Sequence, residues 1–111
     1  ARDVEWEKEG PYWVLSYDLG RGADKKEVDV YFDADGAWVM TITDLHINDV
    51  PQYIKDYVSA SQEYAGARFA DRDAEYVEKP DGNSYILEIM IGMYDIDLEV
   101  TEDGIITERH D

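Results

Sequence analysis

Asp33-Ala34-Asp35-Gly36 sets two carboxylates two residues apart in front of a glycine, and Glu102-Asp103-Gly104 places two more before another. Closely spaced carboxylate oxygens are what a hard cation such as Ca2+ takes as ligands, so Asp33 and Asp35 are the candidate metal-binding residues. The full calcium loop is not completed. With Gly36 at its sixth position, Tyr31 falls where the first aspartate belongs and Ile42 where the bidentate glutamate belongs. Around Gly104 the same positions hold Glu99 and His110. Tight-turn chemistry accounts for the same residues, since Asp and Gly are what a short hairpin connection takes. His46 and His110 are the two histidines and there is no cysteine, a composition that leaves nothing to build a zinc site. No activated serine motif, phosphate-binding glycine loop or dinucleotide fingerprint is present, and Gly20-Arg21-Gly22 reads as a flexible loop. With 27 acidic residues some carboxylates must lie close together. Glycoside hydrolysis, however, also needs a cleft that raises one pKa, and a meander sheet with one helix offers little concavity. The chain therefore reads as a protein that is not an enzyme and that needs no cofactor.

The 111 residues fit one domain with a single core. A hydrophobic content of 44% is that of a folded chain, because disordered chains of high net charge lack the apolar surface to offset ordering entropy. The net charge of −17 repels a phosphate backbone and an anionic membrane surface, which removes nucleic acid as a partner and favours a basic one. The longest apolar runs, such as 85–94, fall far short of the ~20 residues of a membrane span. Residue 1 is Ala, which suggests a processed or trimmed start.

Alternation dominates the first 44 residues. Val4 and Trp6 oppose Asp3, Glu5 and Glu7; Trp13, Leu15, Tyr17 and Leu19 oppose Tyr12, Val14, Ser16 and Asp18; Val28, Val30 and Phe32 oppose Asp29, Tyr31 and Asp33. These are half-buried antiparallel strands. Between 49 and 64 the period changes: Val50, Ile54, Tyr57 and Val58 recur at helical spacing, with Asn48 or Asp49 available as a cap, Pro51 in the first turn and Gly66 as the stop. Strand patterns then return to the end of the chain. The pentapeptide RDVEW at 2–6 reappears as RDAEY at 72–76, Trp13 to Gly20 aligns with Tyr85 to Gly92, and 28–36 aligns with 96–104. Three matched blocks in one order read as a tandem repeat, 1–44 and 45–111, of a four-stranded unit. The expected fold is α+β: an antiparallel sheet of up to eight strands with one helix, about 49–64, on one face.

The aromatic-bearing first strand, the YWV strand, VYFDADGAWV, the VPQYIKDYV helix, YILEIMI and LEVTEDGII together resemble the PepSY-like, β-lactamase-inhibitor-like periplasmic proteins of Bacteroides-type bacteria. The likeness covers most of the chain, and its motifs speak for fold rather than catalysis. It implies export to the periplasm or cell surface, a helix packed on an antiparallel sheet, and an inhibitory or regulatory binding role. In that family a helix precedes each repeat, whereas here residue 1 lies almost on the first strand.

Two surfaces follow from the alternation. If Trp13, Leu15, Tyr17, Tyr85, Leu87 and Ile89 face the helix, the opposite face carries Tyr12, Val14, Tyr31, Ile86 and Met90 among Asp18, Asp29, Glu88, Asp97 and Glu99. Aromatic residues and methionine among charges suit a protein- or peptide-binding surface, and these ten are the candidate partner-binding residues. Weak Ca2+ binding by surface carboxylates is the alternative role. The second surface is the helix side of the first repeat. One helix of about 16 residues spans about 24 Å, less than the width of eight strands at ~4.8 Å spacing. Something else is expected to cover Val4, Trp6, Trp13, Leu15, Val28, Val30 and Phe32: an amphipathic helix upstream of Ala1, or a second copy of the chain.

Overall fold

The computed structural model describes residues 4–20, 25–69 and 73–109. Among them nine antiparallel strands form one sheet: β1 (Glu5–Glu9), β2 (Tyr12–Leu19), β3 (Lys26–Phe32), β4 (Trp38–His46), β5 (Arg68–Phe69), β6 (Asp73–Lys79), β7 (Gly82–Ile91), β8 (Tyr94–Thr101) and β9 (Ile106–Arg109). Their order is β1-β2-β3-β4-β6-β7-β8-β9, with the two-residue β5 pairing β7. One helix, α1 (Gln52–Ala60), packs on one face, so the fold is α+β with a nearly continuous antiparallel sheet. Ala1, Arg2, Asp3, Arg21, Gly22, Arg72 and His110, all used in reading the sequence, lie outside the described residues.

The helix is shorter than its periodicity predicts, running over 52–60 rather than 49–64. Asn48 and Asp49 do not cap it. They sit in a 3-10 turn, Ile47–Asp49, where the Asn48 N–H donates to His46 Nδ1 at 3.1 Å, and Pro51 takes the N-cap of α1 with no side-chain cap. At the other end Ser61 turns extended, and the chain then folds back so that Tyr64 enters the core at 6% exposure and donates its hydroxyl to Glu108 at 2.9 Å. Burying an aromatic ring outweighs the few tenths of a kcal/mol that another helical turn would add. Gly66, at φ +83°, closes that turn rather than the helix.

Val50, Ile54 and Val58 of the helix segment meet Ala74, Leu87, Ile89, Leu98 and Val100 of β6, β7 and β8, and Ile54, Ile89, Leu98 and Val100 are fully buried. No residue of β1, β2 or β3 belongs to this cluster among the described residues. The main cluster therefore lies in the second half of the sheet; in the first half Val28, expected to need a separate cover, is itself buried on the α1 side, and Val14 is buried on the other.

The ladder registers of the two halves coincide. Trp6 pairs with Leu15 and Tyr76 with Tyr85; Leu15 pairs with Val30 and Tyr85 with Val100; Tyr17 pairs with Val28 and Leu87 with Leu98, every partner displaced by 70 residues. This is the spacing of the two pentapeptides. It places Leu15, not Trp13, opposite Tyr85 in the correspondence, a shift of two residues that leaves every side chain on its own face. The turns after β3 and β8 are offset by 68 instead, as Asp33 and Gly36 correspond to Thr101 and Gly104, and a bulge at Tyr31/Phe32 lies beside the first of them.

Those two turns share their hydrogen bonds: Gly36 N–H to Asp33 O and Asp33 N–H to Ala37 O in one, Gly104 N–H to Thr101 O and Thr101 N–H to Ile105 O in the other. Both glycines have positive φ, +86° and +94°. A Cβ on Gly36 meets nothing within 4 Å, whereas one on Gly104 would lie 2.8 Å from Cε1 of Tyr57, whose hydroxyl reaches the Glu102 carbonyl at 3.4 Å. Gly36→Ala is expected to cost about 1–2 kcal/mol from backbone strain, and Gly104→Ala about 1–3 kcal/mol more from the displaced ring. Urea midpoints of the two variants check this; equal losses would show that the Tyr57 ring is free to move aside.

Candidate functional site

The face of the sheet turned away from α1 is read directly from the registers. Val14 opposes Tyr31, which opposes Met40; Ser16 opposes Asp29, then Ile42, Val77, Ser84 and Thr101; Asp44 opposes Glu75, then Ile86, Glu99 and Thr107; Glu88 opposes Asp97, which opposes Arg109. Tyr12, Val14, Asp18, Asp29, Tyr31, Ile86, Glu88, Met90, Asp97 and Glu99 all stand on this face.

Its middle is apolar. Val14 and Val77 are buried, Tyr31, Met40, Ile42 and Ile86 half-buried, and the Tyr12 ring meets the Tyr31 ring edge-on at 6.1 Å. Sheet twist and neighbouring long side chains cover these residues without help from a helix. Three carboxylates are tied down: Asp29 accepts the Ser16 hydroxyl at 2.7 Å, Asp18 pairs with Lys25 at 3.1 Å, and Glu99 accepts the Ser84 hydroxyl at 2.6 Å and Lys79 at 3.5 Å. Burial would raise Glu99, but the Ser84 hydroxyl and the Lys79 ammonium outweigh it and hold its pKa below the ordinary value.

Like charges also stand opposite one another on this face: Asp44 opposite Glu75, a cross-strand arrangement that destabilises a sheet, and Glu88 opposite Asp97. Burial, then Asp29 and Asp73, raise the pKa of Asp44; burial, then Asp44, raise that of Glu75; Asp29 foremost raises that of Glu27. A shallow groove of about 380 Å³ runs between these groups, lined by Asp44, Asp73, Glu75, Ile86, Glu88 and Asp97, and a second depression of about 510 Å³ shares Asp44 and Asp73 with it. Arg109 pairs with Asp97 at its edge, and Lys25 and Lys26 line the second depression.

Sequence reasoning did not single out Met40, Ile42, Asp44, Glu75 or Val77. The alternation of 38–46 and 73–79 carried the signal, but their side of the sheet follows from β4 pairing with β6 across the helix, a non-local fact. The Asp33-Asp35 turn, by contrast, lies off this face. One carboxylate oxygen of Asp33 accepts the N–H groups of Asp35 and Ala37, both at 2.9 Å, as a local turn requires. Among the described residues, no three His, Cys, Asp or Glu side chains converge as a metal site would need.

An antiparallel sheet backed by one helix, with its other face open, has the architecture of an inhibitor-like binding module. The chain belongs to the family described as "Putative beta-lactamase-inhibitor-like, PepSY-like", which matches residues 20–108. Among solved structures it is similar to a BLIP-like protein from Bacteroides fragilis, with a TM-score of 0.72 and 28% identity over 96% of this chain and 72% of that one. It is equally similar to a DUF2874 family protein from Bacteroides uniformis, with a TM-score of 0.72 and 26% identity over 96% of this chain and 75% of that one. No curated protein matches the sequence.

Proposed function

We propose that this protein is an exported, non-catalytic binding module that holds a basic protein or peptide against the sheet face opposite α1. Members of the family are generally extracellular or periplasmic, and among the described residues no helix is long and apolar enough to cross a membrane. The inhibitor-like family description and the BLIP-like neighbour support a macromolecular partner. The observation that carries the reading is the apolar strip Val14–Tyr31–Met40–Ile42–Val77 flanked by the opposed pair Asp44–Glu75. Burial, then Asp44, raise the pKa of Glu75 in the free protein, so this pair gains when a lysine or arginine enters beside it, and the half-buried apolar residues supply the desolvated centre of a contact.

Capture from a periplasmic extract at low and high salt tests this. A partner held at low salt is expected to be lost with Glu88→Lys or Glu75→Lys, and weakened by more than tenfold with Tyr31→Ala, in variants whose far-UV circular dichroism is unchanged. If all three variants keep every captured partner, this face is not the site.

A further inference from the structure

We propose that the α1 side of β1–β4 is a self-complementary interface through which two copies of this chain associate. The registers gather Trp6, Trp13, Leu15, Leu19, Val30, Phe32 and, through the bulge, Trp38 on that side. The tryptophans and Leu19 are open to solvent, with Trp6 56% exposed, Trp13 43% and Trp38 41%, while Leu15, Val30 and Phe32 are half-buried and Val28 beside them is buried; the Trp6 ring lies 5.7 Å from that of Phe32. All three tryptophans of the chain are in this patch.

Charge selects the occupant. Glu5, Glu7, Glu9, Asp18, Asp29 and Asp44 alternate onto the other face, and no carboxylate of β1–β4 shares the side of the tryptophans. The charges here are Lys8, over the Trp13 ring at 5.7 Å, and Lys26, paired with Asp49 at 3.7 Å. In a chain of net charge −17, most surfaces brought against their own copy set carboxylate on carboxylate; this one does not. A twofold contact needs a surface that matches itself, and a flat apolar sheet face does so by packing on its copy about 10 Å away. A basic partner would find no carboxylate on β1–β4 to hold it, Asp49 being paired with Lys26, and an acidic one would find both lysines engaged.

Four strands at ~4.8 Å spacing and five or six residues at ~3.3 Å cover roughly 350 Å² in projection, and corrugated side chains raise this to about 500 Å² per copy. The total of about 1,000 Å² sits at the lower limit for a specific interface. The dimer is therefore weak, with a Kd on the order of 1–100 μM, and salt strengthens it by screening repulsion between the acidic bodies. Binding of a basic partner on the opposite face responds to salt in the other direction, so the two readings fail separately.

Sedimentation velocity of the 111-residue chain from about 5 to 500 μM, in about 0.05 and 0.5 M salt, with tryptophan emission recorded alongside, tests the proposal. The expected result is a monomer that becomes a dimer over this range, at lower concentration in high salt, with emission moving to the blue as mass doubles. Trp13→Glu and, independently, Leu19→Glu (46% exposed) are expected to raise the Kd at least tenfold. A monomer at the highest concentration in 0.5 M salt overturns the proposal, whether its tryptophans are bare or covered by another segment of polypeptide. So does a dimer that survives both substitutions, because its contact lies elsewhere.

Discussion

Ile54→Ala is expected to remove about 2–5 kcal/mol of a stability that for a domain of this size lies in the range of about 5–15 kcal/mol. Ile54 is fully buried and carries the contact between α1 and the sheet; truncating it leaves a cavity that Leu98 and Val100, themselves without exposed surface, cannot collapse to fill. The same inequality between halves is open to a matched comparison. Val100 and Val30 occupy equivalent ladder positions, opposite Tyr85 and Leu15, yet Val100 has no exposed surface and Val30 is half-buried. Val100→Ala should cost about 1.5–3 kcal/mol and Val30→Ala less than half of that. Urea unfolding at submicromolar concentration, below the Kd of the proposed dimer, measures both. Equal losses would show that the first half carries a core as closed as the second.

The second large effect is electrostatic. In the folded chain Glu27, Asp44 and Glu75 hold their protons more tightly than at their ordinary values of 4.5, 3.8 and 4.5, so the native state binds protons that the unfolded chain has already lost. Stability then climbs as pH falls from neutrality through the raised values, and levels off below the ordinary ones. Glu99 works in the opposite sense: its lowered pKa contributes stability above 4.5 that disappears as pH falls through the folded value. The melting temperature is expected to rise by a few degrees between pH 7 and about 5 and to turn over below about 4, the size of the rise being limited by solvent screening of these partly exposed groups. Asp44→Asn and Glu75→Gln should each raise the melting temperature at pH 7 and flatten the profile. A melting temperature that increases from pH 5 to 8 would contradict this. The two substitutions also remove charge from the proposed binding face, so the fold should gain what partner affinity loses, as at sites where function and stability pull apart.

Alternation told the face of each residue in β2, β3, β7 and β8 because a period of two is local and one buried face enforces it. Tyr12, Val14, Tyr31, Ile86 and Met90 were therefore legible as neighbours of Asp29, Glu88 and Asp97 before their pairing was known. Helix length was not legible, since the break after Ala60 follows from where Tyr64 is drawn, and its partner Glu108 lies 44 residues on. Nor was the ninth strand: Arg68–Phe69 has too few residues to show a period and exists because β7 runs past the end of β6. The opposition of Asp44 and Glu75 requires the register of β4 on β6, set across 30 intervening residues by the segment that contains α1. Trp38 joined the aromatic face by way of a bulge, confirmed by its indole N–H donating to Thr41 Oγ1 at 2.9 Å, and no simple alternation foretells that.

Strand β1 ends the sheet, and all five of its residues are exposed. Among the described residues nothing pairs with its outer side, which makes it a ready template for another chain, and Glu5, Glu7 and Glu9 are the guard that keeps such a chain away. The acidity that relieves Asp44 and Glu75 also brings the whole molecule towards its pI of about 4.2, where mutual repulsion between molecules vanishes. Conformational and colloidal stability thus run in opposite directions below neutrality: the conditions that hold this fold most firmly are those in which folded molecules precipitate rather than unfold.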